Sequence, residues 1–339
     1  MKKLTVALLY NVRHHYPDPN NPRTQLESDF DDPETTRLQI KALKKVGYHV
    51  LPIEADEKAY FKLYKNKKNI DTALNLAEGI YGRDQEAQIP AILEMLQIPY
   101  TGCSPLTEAL ILNKARTKEI LMVYKIPTLP QQLYGSEKDR LNNKLKFPLI
   151  VKPVSEGSSA GITNNSVVYN HQDLIKQVKI ILNTFHEQAL VEPYLEGREF
   201  SVAMLGNPPK ILPIIEADHS LLPKKYLPID SVEVKWYFEI EAKHNHLVCP
   251  AKINGKLKQK LEKISYQTWK ALNILDWCRL DIRCDKNENP YVLEVNSPPG
   301  CTDPHHDPAS YFPLAAKSAG IKYEELLKII VETGLTRYG

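Results

Sequence analysis

Two stretches of the chain combine residue types and spacings suited to chemistry. The first is VKPVSEGSSAGI, residues 151–162. Lys152 ends an apolar run there, and Glu156, Gly157, Ser158 and Ser159 follow. Glycine and serine let backbone N–H groups come close to an anion, and a neighbouring lysine adds a full positive charge. The lysine precedes the glycines, so this is not a Walker A loop, in which it follows them. Two readings stand at this point: a small polar surface loop and a phosphate cradle.

The second stretch is WCRLDIRCDKNENPYVLEVNSPPGCT, residues 277–302. Two alternating runs flank the turn-rich DKNENP, which predicts a β-hairpin. Pairing Cys284 with Tyr291 sets Asp281 opposite Glu294 and Arg279 opposite Asn296. Period-two alternation then places all four on one face. Facing carboxylates repel, so a cation belongs between them. Arg279 supplies one charge. A hard divalent ion held by Asp281, Glu294 and the Asn296 carbonyl is the sharper expectation, because Mg²⁺ takes oxygen ligands. The rival is a solvated sheet face of mixed charge. Cradle and ligand set together point to a nucleotide-binding enzyme that uses Mg²⁺.

The elements that must position these residues alternate. LTVALLYNV reads as a buried strand, PETTRLQIKALKKVG as a helix ending at Gly47, YHVLPIEA as a strand, and DTALNLAEGI as a strand running into a loop. EAQIPAILEMLQ reads as a helix and IPYTG as a short strand. This alternation predicts a parallel-sheet α/β domain over 1–105. TEALILNKARTKEILMVY reads as one helix opening a second unit, an α+β block over 106–191. Residues 192–339 carry long strands and hairpins, a helix at KLKQKLEKISYQTWKALN and a final helix at YEELLKIIVETG. The expected fold class is therefore α/β and α+β in three domains.

Composition narrows the function. The 339 residues hold 44 basic and 41 acidic side chains, a net charge of +3 that argues against nucleic acid as a partner. No stretch approaches the roughly 18–20 apolar residues of a membrane span. Five cysteines, with no CxxC, fit a reduced cytoplasmic enzyme. Cys278 and Cys284 fall on one predicted strand, about 20 Å apart, too far for a disulfide.

The ordered set VKPVSEGSSAGI, LVEPYLEGREFSV, EVKW, CRLDIRC and LEVNSPPG resembles the ATP-grasp ligases, specifically the D-alanine–D-alanine ligase group. IPYTGCSPLTEALILNKARTK is similar to that group's linker and first central helix, so the resemblance runs from about residue 72 to the end. It implies an ATP-grasp fold with ATP between the central and C-terminal domains. It also implies an amide-forming ligase with an acyl-phosphate intermediate, a homodimer, and a part in peptidoglycan precursor synthesis. Lys114, Lys152 and Lys235 match lysines that face the phosphates. Glu156, Gly157, Ser158 and Ser159 match the phosphate loop. Glu192, Tyr194 and Leu195 match the segment that holds adenine, and Glu199 the ribose carboxylate. Asp281, Glu294 and Asn296 match ligands of two Mg²⁺ ions, with Mn²⁺ as a substitute. Arg279 and the Gly300 backbone match groups that stabilise the tetrahedral intermediate, with Ser158 grouped beside them as catalytic. Ser310 matches a serine that binds the second substrate's carboxylate.

The departures from the family pattern surround the substrate. The first loop is NVRHHYPDPNNPRTQLESDFDDPE, where Glu34 or a nearby aspartate takes the place of the ammonium-binding glutamate. AEGIYGRDQEA carries Glu78 where the family has histidine, and EVKW carries Trp236 where it has tyrosine. His305 and His306 have no further ligand at telling spacing and read as a polar loop. Three functions remain open: a dipeptide-forming ligase, a ligase for a different amino acid or a non-amino-acid carboxylate, and a nucleotide-binding module without ligase activity. The intact phosphate and metal residues disfavour the last.

Overall fold

A computed structural model describes residues 3–239, 246–307 and 309–338. Its first sheet is parallel, in the order β2-β1-β3, from β1 (Thr5–Tyr10), β2 (His49–Glu54) and β3 (Thr72–Asn75). Val6, Ala7, Leu8 and Leu9 in the central strand are all fully buried, as a parallel strand covered on both faces requires. Between β1 and β2 runs α1 (Pro33–Lys45). Asp32 caps it by accepting the Glu34 N–H, and Pro33 occupies the first turn. Gly47 follows the helix with φ at +101°, the left-handed conformation that glycine tolerates at a helix end. Helices α2 (Ala59–Asn66) and α3 (Gln88–Leu96) bury Leu63 and Leu93 against the sheet.

The middle sheet is antiparallel, in the order β4-β7-β5-β6. Its strands are β4 (Gln132–Tyr134), β5 (Leu149–Pro153), β6 (Val167–Val168) and β7 (Ala189–Pro193). Helix α6 (His171–Thr184) buries Leu174, Val178 and Ile181 against it. The third sheet contains β8 (Glu199–Leu205), β9 (Lys210–Ile211), β10 (Ile215–Ala217), β11 (Leu247–Val248), β12 (Trp277–Cys284) and β13 (Pro290–Asn296). Its order is β11-β10-β8-β12-β13, with β9 on β8. On one face Phe200, Val202 and Ile282 meet Leu257, Leu261 and Ile264 of α7 (Gly255–Ala271).

Three sequence expectations change. TEALILNKARTKEILMVY is two helices, α4 (Pro105–Leu112) and α5 (Lys114–Val123). Asn113 breaks them by capping α5, its side chain accepting the Arg116 N–H at 3.0 Å. IPYTG is no strand, and only Tyr100 bridges to Ala73. YFPLAAKS, passed over in the sequence, forms α8 (Tyr311–Ser318) ahead of α9 (Tyr323–Leu335). These two helices join the ends of the chain: Phe312, Leu326 and Ile330 share a core with Leu8, Leu43 and Leu74.

Candidate active site

The hairpin β12–β13 sets the floor of the site. Arg279 pairs with Asn296 and Asp281 with Glu294, the expected register. The turn end differs: Cys284 pairs with Pro290 rather than Tyr291. The Asp285 carboxylate accepts the N–H groups of Asn287 and Asn289, which closes the turn one residue earlier. A bulge between Asp281 and Ile282 recovers the register. It adds one residue to β13, so the consecutive Leu293 and Glu294 both line the cleft.

On the same face β8 contributes Ser201, which donates to Asp281 at 2.5 Å, and Glu199, which meets Arg283 at 2.6 Å. Asp281 also accepts from Arg279 at 2.8 Å and from the Asn296 amide at 3.1 Å. Burial lowers the pKa of Arg279, but Asp281, Glu294 and Tyr311 together outweigh it and raise the already high value. Glu294 pairs with Lys114 at 3.3 Å. Burial pushes the Glu294 carboxyl up, but Lys114, Lys152, Lys235 and Arg279 outweigh it and hold it at about 2. The ligand set of two carboxylates and an amide carbonyl, without nitrogen or sulfur, fits Mg²⁺.

The roof comes from β5 and β7. Lys152 lies 2.7 Å from Glu192, and Glu192 also pairs with Lys118, which is fully buried. Burial pushes Lys152 down to about 8 and Lys118 well below the ordinary lysine range. The Glu192 side chain thus anchors two lysines while it lines the cleft. Tyr194 and Leu195 line the same cleft beyond it.

The phosphate-loop sequence is fastened over this space. Lys114, at the first turn of α5, donates to the Glu156 carbonyl at 2.5 Å. The Gly157 N–H donates to Asp29 at 3.1 Å and the Gly161 N–H to Gln25 at 2.8 Å. Ser159 donates its hydroxyl to the Asp230 carbonyl at 2.6 Å, and the Trp236 indole donates to the Ser158 carbonyl at 3.4 Å. Ser158, Ser159 and Gly161 all have positive φ, of 42°, 64° and 72°. The long 13–33 loop thus acts as the strap of the phosphate loop.

Three adjoining cavities share Lys235 and Arg279 in their walls. One holds Lys152, Glu192, Tyr194, Leu195, Glu199, Asp281 and Glu294. A second, of about 540 Å³, holds Ser158, Gly300 and Ser310 with Arg13, Asp29 and Tyr311. Ser310 is buried, and its hydroxyl oxygen accepts the Thr302 N–H at 3.2 Å. The third holds Glu78, Glu86, Asp29, Lys114 and Asn296. Burial and the neighbouring carboxylates raise Glu78 well above its ordinary range, and burial takes Glu86 to about 8.

Glu34 is not brought in. Its carboxylate pairs with Arg37 at the surface, 2.6 Å from Nε, because its position on α1 turns it outward. Asp29, five residues earlier, faces the cleft instead. His305 and His306 join no metal-ligating cluster among the described residues. Sequence reasoning passed over Lys118, Arg283, Glu86 and Asp230, and covered Asp29 only as an unnamed aspartate near Glu34. Lys118 lies one helical turn from Lys114, and Arg283 shares the strand face of Arg279 and Asp281, so both had a periodic signal. Asp29 and Asp230 sit in irregular loops, where spacing carries none.

The chain is similar to known proteins of one family. Residues 125–332 match the family described as D-ala D-ala ligase C-terminus. The chain is 35% identical over 312 residues to the D-alanine–D-alanine ligase of Carboxydothermus hydrogenoformans, covering 87% of this chain and 91% of that one. It is 33% identical over 306 residues to an uncharacterized protein of Sinorhizobium fredii, covering 88% and 87%. The crystal structure of the Bacillus anthracis D-alanine–D-alanine ligase complexed with ATP superposes with a TM-score of 0.74 at 27% identity, covering 99% of this chain and 100% of that one. The fold is thus the ATP-grasp fold, and the chain belongs to the D-alanine–D-alanine ligase family.

Proposed function

We propose that the protein is an ATP-dependent carboxylate–amine ligase that forms an amide, in the simplest case a dipeptide, and releases ADP and phosphate. One observation carries this reading: phosphate-facing lysines, an oxygen ligand set and Arg279 converge on one cleft between two sheets. A carboxylate oxygen attacks the γ-phosphorus and ADP leaves. The amine then attacks the acyl carbonyl, and phosphate departs with the oxygen that came from the acid. Phosphoryl transfer of this kind needs positioning and charge neutralisation more than covalent help. Lys114, Lys152 and Lys235 supply the positive charge, and Glu156, Gly157, Ser158 and Ser159 cover the phosphates. Asp281, Glu294 and Asn296 would hold Mg²⁺, which would neutralise phosphate charge. Tyr194 and Leu195 flank the base and Glu199 the ribose. Arg279 and the Gly300 N–H face the oxyanion of the acyl step, where aimed donors act most strongly. The strapped loop keeps water from the acyl phosphate.

Glu78, Glu86 and Asp29 bring three half-buried carboxyl groups into one cavity with Lys114. A substrate ammonium would supply the missing positive charge, and these residues replace Glu34 in that role. Ser310 takes a substrate carboxylate. A second reading, a substrate other than D-alanine, is supported by the about 540 Å³ cavity beside Arg279, whose wall includes Arg13, Asp31, Asp32 and Asp307. Such a volume lies in the range used for ligands far larger than alanine, about 300–1,000 Å³.

The three sheets support a division near residues 105 and 191–193. Among the described residues no helix is long and apolar enough to cross a membrane. The five cysteines are all free, which supports a reducing, cytoplasmic setting. The homodimer rests on family resemblance alone. The deciding experiment is phosphate release from ATP and Mg²⁺ across D- and L-amino acids, singly and paired, with mass detection of products. An amide product with matching phosphate supports the ligase. Intact ATP binding with no product from any acid and amine favours a non-catalytic module.

A further inference from the structure

Beside the nucleotide cleft, outside the oxygen ligand set, lies a second cluster of ligating side chains. His219 Nε2 is 3.0 Å from Asp230 Oδ1, and His246 Nε2 is 3.1 Å from the same oxygen. One ligand atom from each of the three residues lies within 4.8 Å of the others. The imidazoles are packed nearly parallel, with ring centroids 5.6 Å apart. The His246 side chain is wholly buried and that of His219 is 7% exposed.

One contact of this cluster carries no hydrogen bond. A neutral imidazole that donates from Nε2 to Asp230 has no proton on Nδ1. His246 Nδ1 faces Glu239 Oε1 at 3.5 Å. Both atoms are buried without a hydrogen-bond partner. A buried unsatisfied polar atom is expensive and calls for an explanation.

We propose that His219, Asp230 and His246 form a binding site for a divalent transition-metal ion of the Zn²⁺ class. An ion on His246 Nε2 moves the ring proton to Nδ1, which then donates to Glu239. That is the carboxylate–histidine–metal arrangement by which an outer carboxylate fixes ring orientation. The hydroxyl of Tyr311 donates to Asp230 Oδ2 and leaves Oδ1 to the ion. Zinc ligands stand about 2.0–2.2 Å from the ion, so small side-chain shifts seat one between three atoms already this close. Two imidazoles and one carboxylate distinguish the site from the all-oxygen set at Asp281, Glu294 and Asn296, since imidazole suits Zn²⁺ and carboxylate with amide oxygen suits Mg²⁺. The ion would also bear on the phosphate loop, because the Asp230 carbonyl is what holds the Ser159 hydroxyl.

The test needs no turnover and stands apart from the ligase reading. Full-length protein stripped with a chelator is dialysed against Zn²⁺ in saturating Mg²⁺, and bound zinc is counted by elemental analysis. One Zn²⁺ per chain is expected, lost in His246→Ala and Asp230→Asn and retained in Glu294→Gln. Glu239→Gln should bind about 10–100-fold more weakly, the usual cost of removing an outer carboxylate. Co²⁺ loaded into the unaltered protein gives the same answer should a variant fail to fold, with intense four-coordinate visible bands expected. Absence of bound zinc, zinc that survives His246→Ala but not Glu294→Gln, or weak six-coordinate Co²⁺ bands would each overturn the proposal.

Discussion

Replacing Glu192 by glutamine separates two roles for one carboxylate: holding adenine, as the family pattern implies, and clamping two buried lysines. Its side chain is 1% exposed, and the Lys118 and Lys152 side chains are 0% and 6% exposed. Glutamine keeps the shape and removes the charge, so two lysines already pushed down by burial lose their counterion. Breaking a buried ion pair from one side costs about 3–5 kcal/mol. Each lysine can escape by shedding its proton. From an ordinary pKa near 10.4, that costs at most about 4.6 kcal/mol at pH 7, at about 1.36 kcal/mol per pH unit. The ceiling for one lysine falls within that range. The sign with pH follows: the unfolded chain binds protons that the folded variant has shed, so the variant gains stability as pH rises toward 10.4. Urea unfolding, followed by fluorescence of the three tryptophans, checks this at pH 7 and pH 9. Glu192→Gln should unfold well below the parent at pH 7 and regain much of the gap at pH 9. Lys118→Met, which leaves Glu192 paired with Lys152, should cost about 1 kcal/mol or less, as apolar replacements of buried ions often do. Equal midpoints for Glu192→Gln and the parent, with ATP affinity lost, would refute the clamp and restore the adenine role.

Other consequences are as direct. Glu294→Gln and Asn296→Ala should abolish Mg²⁺-dependent phosphate release, and near-normal rates in either would remove them from the metal site. Glu294, held at about 2 against an ordinary value near 4.3, adds stability that is complete above about pH 4.5 and lost as pH falls toward 2, so acid unfolding should be blunted in Glu294→Gln. Arg279→Ala should slow amide formation by about 10²–10³-fold, the range for one oxyanion donor, with ATP affinity kept; loss of ATP binding instead would place Arg279 elsewhere. Lys152, pushed down to about 8, is charged below that pH, so the KM for ATP should rise as pH climbs past 8. A KM flat from pH 7 to 9.5 would exclude that lysine from the phosphates.

Much of the site was legible because it lies on strands. Arg279, Asp281, Glu294 and Asn296 obey period two, and a single assumed pairing places all four on one face. That pairing was right where it mattered and one residue out at the turn, because the Asp285 side chain, not the strand pattern, decides where the hairpin closes. The helix over 105–123 looked continuous because its apolar residues are; only the side-chain cap at Asn113 breaks it. The strap was illegible. Gln25 and Asp29 reach Gly161 and Gly157 across more than a hundred residues of sequence, and no local spacing encodes such a contact. The same holds for the two histidines that meet on Asp230. Glu192 was found for its position in a motif, but its pairing with Lys118 and Lys152 was not, since a motif records where a residue stands and not which way its side chain turns.

The most direct test of the central claim uses an acid substrate carrying ¹⁸O in its carboxylate, in a productive acid–amine pair. Transfer through an acyl phosphate predicts that one labelled oxygen leaves with each phosphate released, read by mass spectrometry of the phosphate, with ADP as the nucleotide product. Unlabelled phosphate accompanying amide formation, or AMP in place of ADP, would contradict the account.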